Sequence, residues 1–436
     1  MAPSIGHYSS VFKVAEVLEK NGHRVVFTTS LHTDAFVKNK GFKTCKLITH
    51  AFGLDIDLKN PNESSDSKVI IKNRMSYKVY EDRKKEIKRI FEIVKPQIVF
   101  IDSFISTDFV PLYSLVKKDN VKVFFIQTML SSTFSWTMPH YNSSLSPNNK
   151  VKIFLENFQR YLRHLNNYFV DKVRFLGYDD RTTILKKIKE EQIAKEYKLV
   201  WNFPSGCTFK NIIEIFVSPK ELEFRLESLK KSNKIYLGLS IISKYSSSGP
   251  SIILGKKNSP NEKLLYVSFG TLSSHKLETI KSFLDKLNTV LTEFPTIKAI
   301  VSAGGNNQLY AYSSKWKFFK MYLFVQQTEI LSKSSYFLTH GGLNSLKEAI
   351  YYEVPMLVYP LEGDQLGNAQ KVKFHQLGIY GDVYKDSVHA IRNALEYLIK
   401  ENNGFKTRLA EFSKTIKENY NFEEILLDTI NSTLLS

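Results

Sequence analysis

Within FLTHGGLNSLKEAIYYEVPMLVYPLEGDQLGNA, residues 337 to 369, residue types and order suit an anion held beside a set of hydroxyl groups. Phe337 and Leu338 close an apolar strand, Gly341 and Gly342 permit a tight bend, and Asn344 or Ser345 is placed to open a helix. The first N–H groups of such a helix have no internal partner and attract phosphate. The next strand, Pro355 to Tyr359, ends at Pro360 and carries Asp364, Gln365 and Asn368 to the same sheet edge. A carboxylate and two amides there suit hydroxyls, although Asp364 and Gln365 also fit a plain turn. Ser345 and Glu348 fit a capping box as well, each side chain satisfying the other's backbone N–H.

A diphosphate seat beside hydroxyl-reading side chains points to a nucleotide sugar. The segment resembles the UDP-glycosyltransferase signature, roughly T/S-H-G-G-x-N-S-x-x-E-A, then G-V-P, then D/E-Q-x-x-N-A. The chain supplies Thr339, His340, Gly341, Gly342, Asn344, Ser345, Glu348, Ala349, Val354, Pro355, Asp364, Gln365, Asn368 and Ala369. Glu353 departs from the pattern, standing where the family has a glycine suited to a left-handed helix cap, so local strain or another cap is expected. The resemblance implies that His340, Gly342, Asn344 and Ser345 approach the diphosphate, that Glu348 holds the ribose hydroxyls, and that Asp364 and Gln365 read the sugar. Upstream, FVQQTEIL (324 to 331) is similar to the family's aromatic-x-Pro-Gln segment with Gln326 in place of proline. Phe324 would stack on the base and Gln327 would approach base or ribose. SFGT (268 to 271) matches the S-x-G-S/T loop, which implies that Gly270 and Thr271 face the phosphates. On residue types alone Phe324 serves equally as a strand-end core residue, and 268 to 271 as a strand-to-helix turn.

Glycosyl transfer to a hydroxyl needs a base, and histidine titrates near physiological pH. The family places this base in a Gly-His pair before the first helix, here Gly6-His7, and orients it with an aspartate, here Asp102 at the end of QIVFID. The competing structural roles are a helix cap for His7 and a loop cap for Asp102. Relatives lead into the pair through an apolar strand, whereas Met1 to Ile5 precede Gly6. The expectation is that the first strand of this domain is missing from the sequence given.

The elements that must position these residues alternate. A helix over 8 to 21 precedes the strand HRVVFTT; a strand near 43 to 48, a helix over 69 to 95, a strand at 97 to 102, a helix over 107 to 118 and a strand at 121 to 127 follow. Residues 129 to 205 are polar and aromatic and are expected to shape an acceptor pocket. Strands return at 212 to 217 and 234 to 238. Beyond a Ser/Gly/Pro/Lys-rich stretch, LLYVSFGT opens a second set: a helix over 275 to 293, strands at 297 to 302 and 321 to 325, then the signature. Such alternation means parallel sheets. The resemblance implies the α/β fold called GT-B, two doubly wound Rossmann-like domains facing across a cleft. The boundaries are residues 1–243 for an N-terminal acceptor domain, 244–263 for a linker, 264–403 for a C-terminal nucleotide-sugar domain, and 404–436 for a helix packing back across both.

With 436 residues and 43% apolar content, two cores are the default. The net charge of +18, from 61 Lys and Arg against 43 Asp and Glu, is scattered without an arginine-rich block or nucleic-acid motif, so no nucleic-acid partner is expected. A weak peripheral association with anionic membrane is compatible with it. Cys45 and Cys207 lack metal or redox spacing and read as buried thiols. No run of 18 apolar residues occurs and no secretory signal opens the chain, so a cytoplasmic location is expected, like that of soluble bacterial members. No His/Asp/Glu cluster with metal-ligand spacing is found. The chemistry implied is metal-independent and inverting, with a UDP-sugar as co-substrate, no cofactor, and a small, rather apolar hydroxyl acceptor. The alternatives are a lipid or carotenoid acceptor, and a nucleotide-sugar-binding protein with impaired catalysis.

Overall fold

The structure, a computed structural model, describes residues 1–2, 4–53, 67–130, 134–201, 206–224, 233–241, 261–271 and 276–435. Most of the linker expected at 244–263 therefore lies outside the described residues; its last residue, Lys263, already belongs to a strand.

The N-terminal half opens with α1 (Ile5–Lys20), β1 (Val26–Thr29), α2 (Asp34–Asn39) and β2 (Lys43–Lys46). It continues through α3 (Ser67–Met75), α4 (Lys78–Val94), β3 (Ile98–Asp102), α5 (Phe109–Asp119) and β4 (Lys122–Gln127). Next come α6 (Lys150–Arg174), α7 (Asp180–Glu190), the antiparallel pair β5 (Leu199–Trp201) and β6 (Cys207–Phe209), then β7 (Ile213–Phe216) and β8 (Lys234–Tyr236). Strands β3-β4-β7-β8 form a parallel sheet in that order, and β1 pairs with β2 alone. Between β1 and β3 lies a cavity of about 470 Å³, walled by apolar side chains such as Leu18, Phe27, Ile90 and Phe100.

Three expectations are corrected here. The first helix begins at Ile5 after an extended Ser4 (φ −130, ψ 133), so Gly6 and His7 lie within its first turn rather than before it. The helix expected over 69 to 95 is two, broken where Tyr77 turns left-handed (φ 53). Cys207 is buried as expected, but Cys45 on the edge strand β2 is only half-buried.

The C-terminal half comprises β9 (Lys263–Ser268), α8 (Leu277–Leu291), β10 (Ile297–Ser302), α9 (Asn307–Ala311), β11 (Phe319–Tyr322), α10 (Gln327–Leu331) and β12 (Tyr336–Thr339). It continues with α11 (Leu343–Tyr351), β13 (Met356–Val358), α12 (Gln365–Phe374), β14 (Gly378–Tyr380) and α13 (Val388–Ile399). Its parallel sheet runs β11-β10-β9-β12-β13-β14, so strand order reverses between β9 and β12. Crevices at such reversals, beyond the carboxyl ends of the strands, bind ligands in doubly wound folds. The central strands β12 and β13 are short and almost wholly apolar because both faces are covered. Leu265 and Val267 pack with α8 and α13, and Tyr266 and Phe337 with α11, α12 and α14 (Phe405–Asn419).

The terminal segment is likewise two helices, α14 and α15 (Phe422–Leu435), parted at an extended Tyr420 (φ −129, ψ 112) whose hydroxyl donates to Glu221 Oε2 at 2.9 Å. The break lets the chain pass between halves: Leu409 and Phe412 join the core under α11, while Leu426 and Ile430 join Phe12 and Ile126 around α1.

Glu353 adopts the left-handed cap (φ 58) that glycine favours, its N–H donating to Ile350 O at 3.1 Å and that of Val354 to Ala349 O at 2.9 Å. Its ion pair with Lys417, 3.8 Å and well exposed, offsets little of the strain. Glu353→Gly should therefore raise stability by about 0.5–1 kcal/mol, seen as a higher thermal midpoint.

Candidate active site

Both halves bring polar groups to the cleft. In the N-terminal half the first turn of α1 points His7 at the end of β3, where His7 Nδ1 meets Asp102 Oδ2 at 2.7 Å. Asp102 is fully buried and also accepts from the N–H of Phe104 at 3.0 Å and of Ala2 at 3.2 Å. Burial alone would raise its carboxyl, but the hydrogen bond to His7, with the nearby N-terminal ammonium and the N–H of Phe104, wins and lowers it. Asp102 is thus an anion placed to hold the Nδ1–H tautomer of His7, which leaves Nε2 as the acceptor. Thr128, just after β4, sets its hydroxyl 2.8 Å from the same Nδ1, and Phe104 packs edge-on to the imidazole at 5.6 Å. A small crevice beside His7 is bounded by Phe104, Thr128, Met129 and Tyr141.

In the C-terminal half the signature forms the turn between β12 and α11. Gly342 is the N-cap, and no side chain caps the helix. That corrects the reading of Asn344 or Ser345 as the helix opener and of Ser345-Glu348 as a capping box, because Ser345 already lies inside the first turn. Gly341 needs its positive φ (86), and a Cβ there would lie 2.7 Å from Val358.

Freed from capping, Glu348 Oε2 accepts from Gln327 Nε2 at 2.6 Å, and the same amide reaches Ser345 Oγ at 3.1 Å. Tyr266 OH donates to Gln327 Oε1 at 3.2 Å, so Gln327 orients Glu348. Burial pushes the Glu348 carboxyl up to about 7, the hydrogen bond from Gln327 opposing it.

His340, at the end of β12, lies between two glycines: a Cβ at Gly270 would approach its Cε1 to 2.8 Å, and one at Gly342 its Nε2 to 2.7 Å. Burial pushes it down to about 4, so at neutral pH it is an uncharged imidazole. Its Nδ1 is buried without a hydrogen-bond partner among the described residues, the kind of orphan a ligand satisfies. Gly270 (φ 69) carries the loop after β9 against Gly304, and Thr271 is exposed beside it.

Phe324 follows β11 with its ring over Gly305, where a Cβ would be 2.4 Å away, and is 48% exposed. Its position leaves one face open to an aromatic base. Gln326 keeps a proline-like φ of −74 at the N-cap of α10, which explains how it replaces proline.

Asp364 Oδ2 accepts from Asn368 Nδ2 at 2.8 Å, and Asn368 also donates to Gly341 O, which ties α12 to the glycine turn. Burial raises the Asp364 carboxyl, the hydrogen bond from Asn368 opposing it. Gln365 Oε1 accepts from the N–H groups of Leu361 and Glu362, which leaves its Nε2 donors for a ligand.

Asn344 is not aimed at an anion position. Its Nδ2 donates to Gly6 O at 3.3 Å and its Oδ1 accepts from Ser10 Oγ at 3.1 Å, so it clasps the turn that carries His7.

The residues not foreseen from sequence are Thr128, Ser10, Tyr266 and Lys347. Lys347 is buried and donates to Val217 O at 2.8 Å and Ser240 Oγ at 2.5 Å, pinning α11 to the N-terminal half. Burial pushes it down to about 7. A signal was present, since Lys347 shares the helical stripe of Leu343, Leu346 and Ile350, where an isolated lysine is out of place. Among the described residues no group of three His, Cys, Asp or Glu is placed to hold a metal ion, and no helix is long and apolar enough to cross a membrane.

Residues 255–419 match the family described as UDP-glucoronosyl and UDP-glucosyl transferase. The UDP-glucosyltransferase YdhE of Bacillus subtilis (strain 168), itself uncharacterized, is 27% identical over 168 residues, 38% of this chain and 40% of that protein. The matched stretch thus spans less than half of that relative. The NDP-glycosyltransferase YjiC of the same organism is 23% identical over 428 residues, 95% of this chain and 92% of that protein. Among solved structures, the glycotransferase of kitacinnamycin superposes with a TM-score of 0.68 at 17% identity, covering 99% of this chain and 97% of that one. Neighbours of this kind establish the GT-B fold.

Proposed function

We propose that the chain acts as a member of the UDP-glycosyltransferase superfamily, moving a hexose from a UDP-sugar to a hydroxyl of a small, apolar acceptor, with inversion and without a metal ion. The observation that carries the reading is the formed His7–Asp102 pair, 2.7 Å apart, held by Asn344 to the uncapped start of α11.

The acceptor O–H meets His7 Nε2. As its oxygen attacks the anomeric carbon, the proton passes to Nε2, the new C–O bond forms, and the bond to the diphosphate breaks with its electron pair leaving on UDP. Asp102 stabilises the imidazolium so produced. Charge growing on the diphosphate is met by fixed dipoles: the first N–H groups of α11, the neutral imidazole of His340, Ser345, and the backbone at Gly270 and Thr271. Phe324 stacks on the base, Glu348 accepts from the ribose hydroxyls, and Asp364 with Gln365 reads the hexose. A single displacement turns an α-linked donor into a β-glycoside. The crevice by Phe104 and Met129 favours an apolar acceptor. The intact pair argues against a binding protein with impaired catalysis.

Release of UDP in the presence of a panel of phenolic acceptors tests the proposal. UDP-induced thermal stabilisation with no turnover on any acceptor would overturn it.

Glu348 adds a pH dependence. With its carboxyl near 7, the ionised acceptor form predominates above that pH and is lost below it. UDP-glucose affinity measured calorimetrically without acceptor should weaken by about tenfold between pH 8 and pH 6, and Glu348→Gln should flatten the profile. Because no acceptor is present, proton transfer to His7 does not enter this measurement.

A further inference from the structure

Helix α6 turns its apolar side away from the protein. Of its residues only Ile153 and Asn157 are buried, and the inward stripe also carries Arg160, His164, Tyr168 and Asp171. Asn157 Nδ2 donates to Ser135 O at 2.8 Å and Met138 O at 2.9 Å, so polar bonds hold much of that face. The opposite stripe is Val151, Leu155, Phe158, Leu162, Phe169 and Val173, each between 42% and 77% exposed. Their spacing places all six within one narrow band of the helix, about 33 Å long at 1.5 Å per residue. Such a band on a soluble surface marks an interaction site.

We propose that α6 docks the protein on an anionic lipid bilayer, lying in the interface plane with this stripe among the acyl chains. Charge selects the occupant. The helix carries six Lys and Arg, at 150, 152, 160, 163, 172 and 174, against Glu156 and Asp171. Glu156 is engaged by Arg160 at 2.6 Å on the protein side, so the rims of the stripe are basic: Lys152, Arg163 and Arg174 on one flank, Lys172 on the other. A second copy packed on the stripe would bring like charges together, whereas anionic headgroups complement them. With so many charges α6 cannot span a membrane, and an amphipathic helix with Phe and Leu on one face and Lys and Arg beside it suits the interface. At the start of α6, Trp136 packs on Phe154 and Tyr161, at 5.7 and 5.6 Å, and is itself 41% exposed, which adds an interfacial anchor. The overall charge of +18 acts in the same direction.

The test is co-sedimentation of the full chain with vesicles of phosphatidylcholine alone or mixed with phosphatidylglycerol. Binding to the mixed vesicles should exceed binding to the neutral ones by about tenfold at low salt and fall as salt screens the charges. Phe158→Glu/Phe169→Glu should reduce vesicle binding by about tenfold or more, since both rings would otherwise enter the acyl region. These side chains are exposed, so circular dichroism and thermal midpoint should match the parent. Lys152→Glu/Arg163→Glu/Arg174→Glu should abolish the preference for anionic lipid. Absence of binding to mixed vesicles at low salt would overturn the proposal, as would equal binding by the Phe variant. So would a dimer, seen by light scattering, that the Phe variant dissociates, because the stripe would then belong to a second copy.

Discussion

His7→Ala is expected to lower kcat by about 10²–10⁴-fold while UDP-sugar affinity changes by less than about twofold. The asymmetry follows from geometry. His7 belongs to the N-terminal half, and its contacts are with Asp102, Thr128 and Phe104. The groups assigned to the donor, from Phe324 through Gln327, His340 and Glu348, are held by the C-terminal sheet and its loops. Deleting the imidazole removes the proton acceptor without touching the donor seat. The measurement is steady-state UDP release with saturating donor, alongside calorimetric binding of UDP-glucose. Equal turnover by His7→Ala and parent would remove His7 from the mechanism. A parallel loss of donor affinity would instead indicate that His7 supports the clasp of Gly6 by Asn344.

The C-terminal half is legible in the sequence because its tight turn and its bared helix start depend on the same residues. The glycine pair that makes the turn possible also bares the helix start, and both are visible as sequence. Strand-helix alternation over 264 to 403 gave the sheet, since parallel strands covered on both faces read as continuous apolar runs. What failed was local. The capping box that the S-x-x-E pattern of Ser345 and Glu348 also allows does not form, because Gly342 has already begun the helix. The role expected for Asn344 was displaced by a partner 338 residues away in sequence, Gly6. Contacts of that separation leave no periodic mark on either segment. Lys347, by contrast, left one: a cation on an apolar stripe whose hydrogen-bonding partners come from the other half. The helix breaks at Tyr77 in the N-terminal half and at Tyr420 in the terminal segment are not visible in the sequence because tyrosine has no turn-forming signature. Tyr420 is extended where its hydroxyl reaches Glu221 and the chain crosses between cores.

Asp102→Asn is expected to cost about 10²–10³-fold in kcat, with donor affinity retained. In the parent the buried carboxylate can only accept, so the proton sits on His7 Nδ1 and Nε2 is free to take the acceptor proton. An asparagine whose Oδ1 stays with the N–H of Phe104 turns its Nδ2 toward His7. The amide then donates to Nδ1, the proton moves to Nε2, and the base faces the acceptor in the wrong tautomer. The negative charge that would stabilise the imidazolium is lost as well. Raising the pH does not restore activity, because the defect is the position of a proton and the loss of a charge rather than the protonation of a carboxylate. Two groups acting as one unit give non-additive losses, so His7→Ala/Asp102→Asn should be no slower than His7→Ala alone. If Asp102→Asn kept parental turnover, Asp102 would be a loop cap for Phe104 and nothing more. If the double variant were slower than His7→Ala by the full factor of the single Asp102 change, the two residues would act separately and the orienting role would fail.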